Sequence, residues 1–191
     1  GRDLDRLAAL HAEAAGEALG QHAEHAAGRQ ERLEKLEEYA KAKDTDPLIW
    51  QMFGYELGLD ARQHDRAIRW LFRSMRAAPG TALTYRLLAD ILWSKRTFDK
   101  AAELYRFAAS LDDKNEDFAY AYFQAMRHLK REEEALGMLS DRARRFVKQS
   151  GMPSRSLFNA QREMGLVGEA FATLDDALEN RPADGELHLF A

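Results

Sequence analysis

Cysteine is absent from the 191 residues, which excludes disulfides, thiolate metal sites and cysteine nucleophiles. The absence leaves the compartment open, because a reducing cytosol and an oxidising periplasm both accommodate a chain without thiols. Strand signals are also missing: β-branched residues are scarce and no stretch alternates apolar and polar residues for long. No apolar run approaches the roughly 20 residues that a bilayer-spanning helix needs, so direct membrane insertion is not expected. Basic residues are not in excess, with 28 Lys and Arg against 32 Asp and Glu and a net charge of −4. Such a chain offers no general attraction to nucleic acid or to an anionic membrane. No phosphate-cradling glycine loop, nucleophile elbow or HExxH run occurs. Carboxylates are scattered at helix-surface spacing rather than paired in an apolar setting. The expectation is a non-enzyme with no cofactor and no metal.

What the chain does contain is 46% hydrophobic and 31% charged residues, a balance that suits helices with one apolar stripe and one solvated face. It also contains a period. Ala67 and Ala101 are 34 residues apart, Ala135 follows after another 34 and Ala170 after 35. Acidic and aromatic neighbours recur with them, as in "DRAIRWLFRSMRAAP" and "DKAAELYRFAASLDD". Recurrence at this period marks an array of helical repeats. Where two helices cross closely, one must offer almost no side chain while the other fills the gap. The four alanines are the predicted close-approach positions.

Pro47, Pro79, Pro153 and Pro182 punctuate the array. "DTDP" places Asp46 as an N-cap with Pro47 at the first helical position, where its missing N–H costs nothing. "PGT" ends one helix at Pro79 and offers Thr81 as the next cap. Between such stops each period holds two helices: "ALTYRLLADILWSKR" and "KAAELYRFAASL", joined by the short turn "RTFD".

At this point the chain resembles the tetratricopeptide repeat (TPR) family. Residues 82–115 supply Tyr85, Leu88, Ala89, Leu92, Ala101, Tyr105 and Ala108 to that pattern, and residues 47–81 supply Trp50, Phe53, Gly54, Leu57, Ala67, Leu71 and Pro79. Residues 116–150 are looser, with Phe123 at a small position and Arg142 in place of alanine. Residues 151–184 match mainly through Gly165, Ala170, Leu174, Ala177 and Pro182. The resemblance implies an all-α fold, an α-solenoid (superhelix) of antiparallel helix pairs. Its expected units are degenerate N-terminal helices at 1–46, repeats at 47–81, 82–115, 116–150 and 151–184, and a truncated start at 185–191. The missing initiator Met and this abrupt end suggest a piece of a longer protein.

In the family, positions 2, 5, 9, 12 and 13 of first helices line a concave groove. Here that implies Gln51, Tyr55, Arg86, Asp90, Trp93, Tyr120, Gln124, Arg127, Arg155, Asn159 and Arg162. Aromatic groups mixed with Arg and amides are what binding surfaces enrich. The competing reading is that Trp93 and Tyr120 pack against the neighbouring repeat. The Lys/Asn clamp by which some relatives grip chaperone tails is missing, since Gln51, Tyr55, Leu87, Asp117 and Ala121 stand at its positions. The implied function is a non-catalytic scaffold that binds another protein in the groove. Two alternatives are polysaccharide binding, with Tyr55, Trp93 and Tyr120 stacking on sugar rings, and a passive spacer. Composition is similar to that of periplasmic repeat regions of bacterial exopolysaccharide secretion machines.

Two clusters invite sharper readings. His11, His22 and His25 share a helix side, but His11 and His22 lie roughly 16 Å apart along the axis at 1.5 Å per residue, too far for one ion. Arg142, Arg144, Arg145 and Lys148 form either a patch for phosphate or acidic partners, or the exposed end of a second helix, where positive charge suits the dipole. The exposed helix end is the expectation.

Overall fold

The computed structural model describes residues 27–42 and 45–191, so the three N-terminal histidines lie outside the described residues. Every regular element among the described residues is a helix. In chain order these are α1 (27–41), α2 (Pro47–Gly58), a 3₁₀ turn (Ala61–Gln63), α3 (His64–Ala77), α4 (Ala82–Ser94), α5 (Phe98–Leu111), α6 (Glu116–His128), α7 (Glu132–Phe146), α8 (Met152–Glu163), α9 (Val167–Asn180) and α10 (Gly185–Phe190). No described helix is long and apolar enough to cross a membrane. The chain divides after Trp70 into two compact units.

In the first unit, Asp46 caps α2 by accepting from the Leu48 N–H at 2.8 Å, and Pro47 stands in the first turn. The Trp50 indole donates to the Ala40 carbonyl at 3.0 Å, and the Phe53 and Trp70 rings meet at 5.4 Å. Ala40 and Ala67 are completely buried. Small side chains therefore stand where α1 and the start of α3 are most enclosed.

The second unit is built from helix pairs. Tyr85 meets Phe107 at 5.9 Å, Asp90 accepts from the Tyr105 hydroxyl at 2.7 Å, and Trp93 meets Phe98 at 4.7 Å. Residue numbers rise along α4 as they fall along α5, so the pair is antiparallel. First helices lie side by side: Arg86 Nη1 reaches the Asp117 carbonyl at 3.4 Å near one end, and Trp93 meets His128 at 5.0 Å near the other. α4 and α6 therefore run parallel. The core threads between these layers through Ala89, Ala101, Tyr105, Tyr122, Phe123, Ala135, Leu139 and Leu157, with Phe158, Ala170, Leu174 and Leu187 in a cluster further along. Ala101, Ala135 and Ala170 are 0% exposed, as the close-crossing argument requires.

The turns repeat as closely as the cores. After α4 the Thr97 N–H returns to the Leu92 carbonyl, after α6 Arg131 returns to Met126, and after α8 Leu166 returns to Gln161, each at 2.9 Å. The residue before each of these donors has positive φ: Arg96 at 58°, Lys130 at 61° and Gly165 at 77°. This is the helix stop that favours glycine, and only the last of the three has it. Thr81 does occupy the N-cap position of α4, but its side chain makes no capping bond.

One expectation is corrected. Arg144, Arg145 and Lys148 are exposed, but Arg142 is 1% exposed and is no part of a basic surface. It enters where the repeat pattern has alanine, and its guanidinium makes four hydrogen bonds inside. Nε and Nη2 donate to the Asp113 carbonyl at 3.0 and 2.7 Å, and Nη1 and Nη2 fork onto the Glu116 carboxylate at 3.0 and 2.9 Å. A buried ion needs such satisfaction. Arg142 thereby ties α7 to the start of α6.

Candidate partner-binding cleft

Because α4, α6 and α8 are neighbours, side chains on one side of each share a surface. Residues four and seven apart on α6 place Tyr120, Gln124 and Arg127 on one stripe. A cleft of about 620 Å³ opens beside this stripe, lined by Arg86, Trp93, Tyr105, Gln124, Arg127 and His128 among others.

Asp90 positions two of the lining residues, Arg86 and Tyr105. Its carboxylate accepts from Arg86 Nε at 2.9 and 3.1 Å and from the Tyr105 hydroxyl at 2.7 Å. The Arg86 guanidinium also lies over the Tyr105 ring at 5.2 Å. Burial, then the bond to Asp90, pushes the Tyr105 hydroxyl far above its ordinary pKa, so it stays a donor. The floor is aromatic: Trp93 touches Phe98 at 4.7 Å, His128 at 5.0 Å and Tyr105 at 6.2 Å.

Gln124 and Arg127, which line the cleft, also belong to a knot around Glu163, the last residue of α8. Its carboxylate accepts from the Tyr120 hydroxyl, from Gln124 Nε2 at 2.9 Å and from Arg127 Nη1. Burial raises the Glu163 carboxyl pKa, but hydrogen bonds from Tyr120 and Gln124 and the charge of Arg127 outweigh it, leaving the group below the ordinary glutamate range. Burial first, and then the bond to Glu163, pushes Tyr120 up to about 12.

Arg86, Asp90, Trp93, Tyr120, Gln124 and Arg127 are thus brought together. Trp93 and Tyr120 pack against the core, as the competing reading expects, and each is only half-buried. Of the remaining predicted positions, Arg155 and Arg162 lie over the Phe190 and Phe158 rings at 4.6 and 5.7 Å, and Asn159 is exposed. These three, like Asp90 and Tyr120, are not among the residues lining the cleft. In the first unit Gln51 is 4% exposed, which removes its amide from any open surface. Tyr55 is exposed there and lines a separate apolar cleft of about 370 Å³ with Leu36, Tyr39 and Met52. Sequence reasoning passed over His128 and Glu163, although each occupies position 13 of its repeat, a position the resemblance names. Tyr105 had no such signal, because it reaches the cleft from a second helix. Among the described residues no His, Asp and Glu cluster could hold a metal ion.

No protein-family profile and no curated protein matches the chain. Solved structures do match. A crystal structure of the MamA protein superposes with a TM-score of 0.57 at 16% identity, covering 87% of this chain and 90% of that one. A second MamA structure, MamA AMB-1, gives 0.55 at 21% identity over 87% and 91%. YrrB, described as a TPR protein with an unusual peptide-binding site, gives 0.51 at 15% identity over 74% and 72%. At such identities likeness establishes architecture and nothing finer. The chain has an all-α, tetratricopeptide-like solenoid fold.

Proposed function

We propose that the chain is a non-catalytic scaffold that holds a segment of another protein in the cleft along α4 and α6. The observation that carries this reading is the convergence of Arg86, Gln124 and Arg127 around an aromatic floor in a cleft of about 620 Å³. Planar guanidinium and amide groups give directional hydrogen bonds, and the rings supply contact area at little entropic cost. The peptide-binding site of YrrB lends the same reading support on a shared fold. Stacking on sugar rings gains little here, because the Trp93 indole is already engaged by Phe98, His128 and Tyr105.

The test is selection from a random peptide display library on the immobilised protein. Selected peptides should lose at least about tenfold in affinity, about 1.4 kcal/mol, against the Arg86→Glu/Arg127→Glu protein, while its helical circular dichroism is unchanged. Peptides that bind both proteins equally would move the site elsewhere.

A further inference from the structure

The knot around Glu163 does more than join two helices. A hydroxyl, an amide and a guanidinium, all on one face of α6, converge on a single carboxylate that lies 36 to 43 residues away in the chain. Hydrogen bonds of this charge-assisted kind, with a guanidinium among the donors, are how proteins recognise carboxylates in ligands. The carboxylate that fills the site is poorly placed in its own helix. Glu163 is the last residue of α8, where the helix dipole disfavours negative charge. Its side chain is 32% exposed and that of Arg127 is 42% exposed, so the contact is open to solvent, and Arg127 also lines the cleft. Arg127 Nη2 also reaches the Glu163 main-chain carbonyl at 3.3 Å, a contact that does not depend on the Glu163 carboxylate.

We propose that Tyr120, Gln124 and Arg127 form a carboxylate-binding site that Glu163 occupies in cis, and that the partner segment is acidic and enters by replacing Glu163 with a carboxylate of its own. This rests on the cleft being the partner site. Glu163 then acts as a latch. The latched fraction of molecules cannot bind, so the apparent affinity for an acidic segment is lowered by the fraction that is open. Lys130 and Arg86, the latter paired with Asp90, line the same cleft and add positive charge that favours an acidic guest.

The probes are hexaglutamate, hexaglutamine and a hexameric uronate oligosaccharide, titrated calorimetrically at low ionic strength. Glu163→Ala should bind hexaglutamate more tightly than the unaltered protein by up to about fivefold, the release of a part-exposed ion pair of up to about 1 kcal/mol. Glu163→Gln, which retains the shape of the contact, should gain less. Hexaglutamine should show no gain, and Arg127→Gln added to Glu163→Ala should remove it. No gain for hexaglutamate in either variant, with helicity intact, overturns the latch. An equal gain for the uronate overturns the assignment of a peptide guest. Library-selected peptides that remain sensitive to Arg86→Glu/Arg127→Glu while Glu163→Ala changes nothing would sink the latch and leave the cleft standing. Peptides insensitive to the double change would remove the cleft itself.

Discussion

Replacing Arg142 by alanine removes a guanidinium that is 1% exposed and makes four hydrogen bonds. What remains is a Glu116 carboxylate whose side chain is only 15% exposed and an Asp113 carbonyl that has lost both donors. Removing one partner of a buried pair typically costs about 3–5 kcal/mol, because the other charge is left uncompensated. Glu116 lies at the rim and can recover some water, which places the expectation near the lower end, about 3 kcal/mol. In urea, with a slope of about 1–3 kcal/mol per molar, that moves the midpoint of unfolding down by about 1–3 M. Arg144→Ala is the matched control: its side chain is 76% exposed beside Asp141, so its loss should stay within about 1 kcal/mol. Arg142→Met with Glu116→Leu should be milder than Arg142→Met alone, since no orphaned charge remains. If Arg142→Ala costs no more than Arg144→Ala, the argument that Arg142 ties α7 to α6 is wrong.

Other consequences follow from the same contacts. Ala135→Leu should destabilise by about 1–3 kcal/mol in the same urea assay, because a fully buried alanine at a crossing leaves no room. Gly137→Ala on the same helix meets nothing within 4 Å and should stabilise by up to about 1 kcal/mol. Arg96→Gly should stabilise by about 0.5–1 kcal/mol by relieving a left-handed residue at the α4 stop, read as a higher melting temperature. The Glu163 carboxyl titrates below its ordinary value of 4.5, so its contribution is present above that pH and lost as pH falls beneath it. The acid limb of the stability curve should therefore be shallower in Glu163→Gln. Tyr120, raised from 10 to about 12, adds a contribution that is present below pH 10 and lost as pH climbs toward 12.

The all-helical class was legible because helical stops and small-residue spacing act locally and recur. Ala101, Ala135 and Ala170 could be placed inside the second unit from period alone, since only a tiny side chain fits a close crossing. Arg142 was not legible. An arginine where a repeat has alanine reads as a departure, and nothing local announces that Asp113 and Glu116, 29 and 26 residues earlier, will receive it. Arg96 and Lys130 were hidden for a similar reason: glycine signals a left-handed stop, whereas charged residues conceal one that tertiary packing imposes. Arg86, Trp93, Gln124 and Arg127 were found on first helices, His128 at the end of one was passed over, and Tyr105 was missed because it comes from a second helix. Glu163 was missed because a carboxylate at a helix end looks like ordinary surface until its three donors are seen together.

Photo-crosslinking tests the account most directly. With benzoylphenylalanine placed at Gln124 inside the cleft, or at exposed Phe107 on α5 outside it, a library-selected peptide should crosslink from position 124 and not from position 107. Crosslinking from position 107 with none from 124 would contradict the assignment of the cleft as the place where a partner is held.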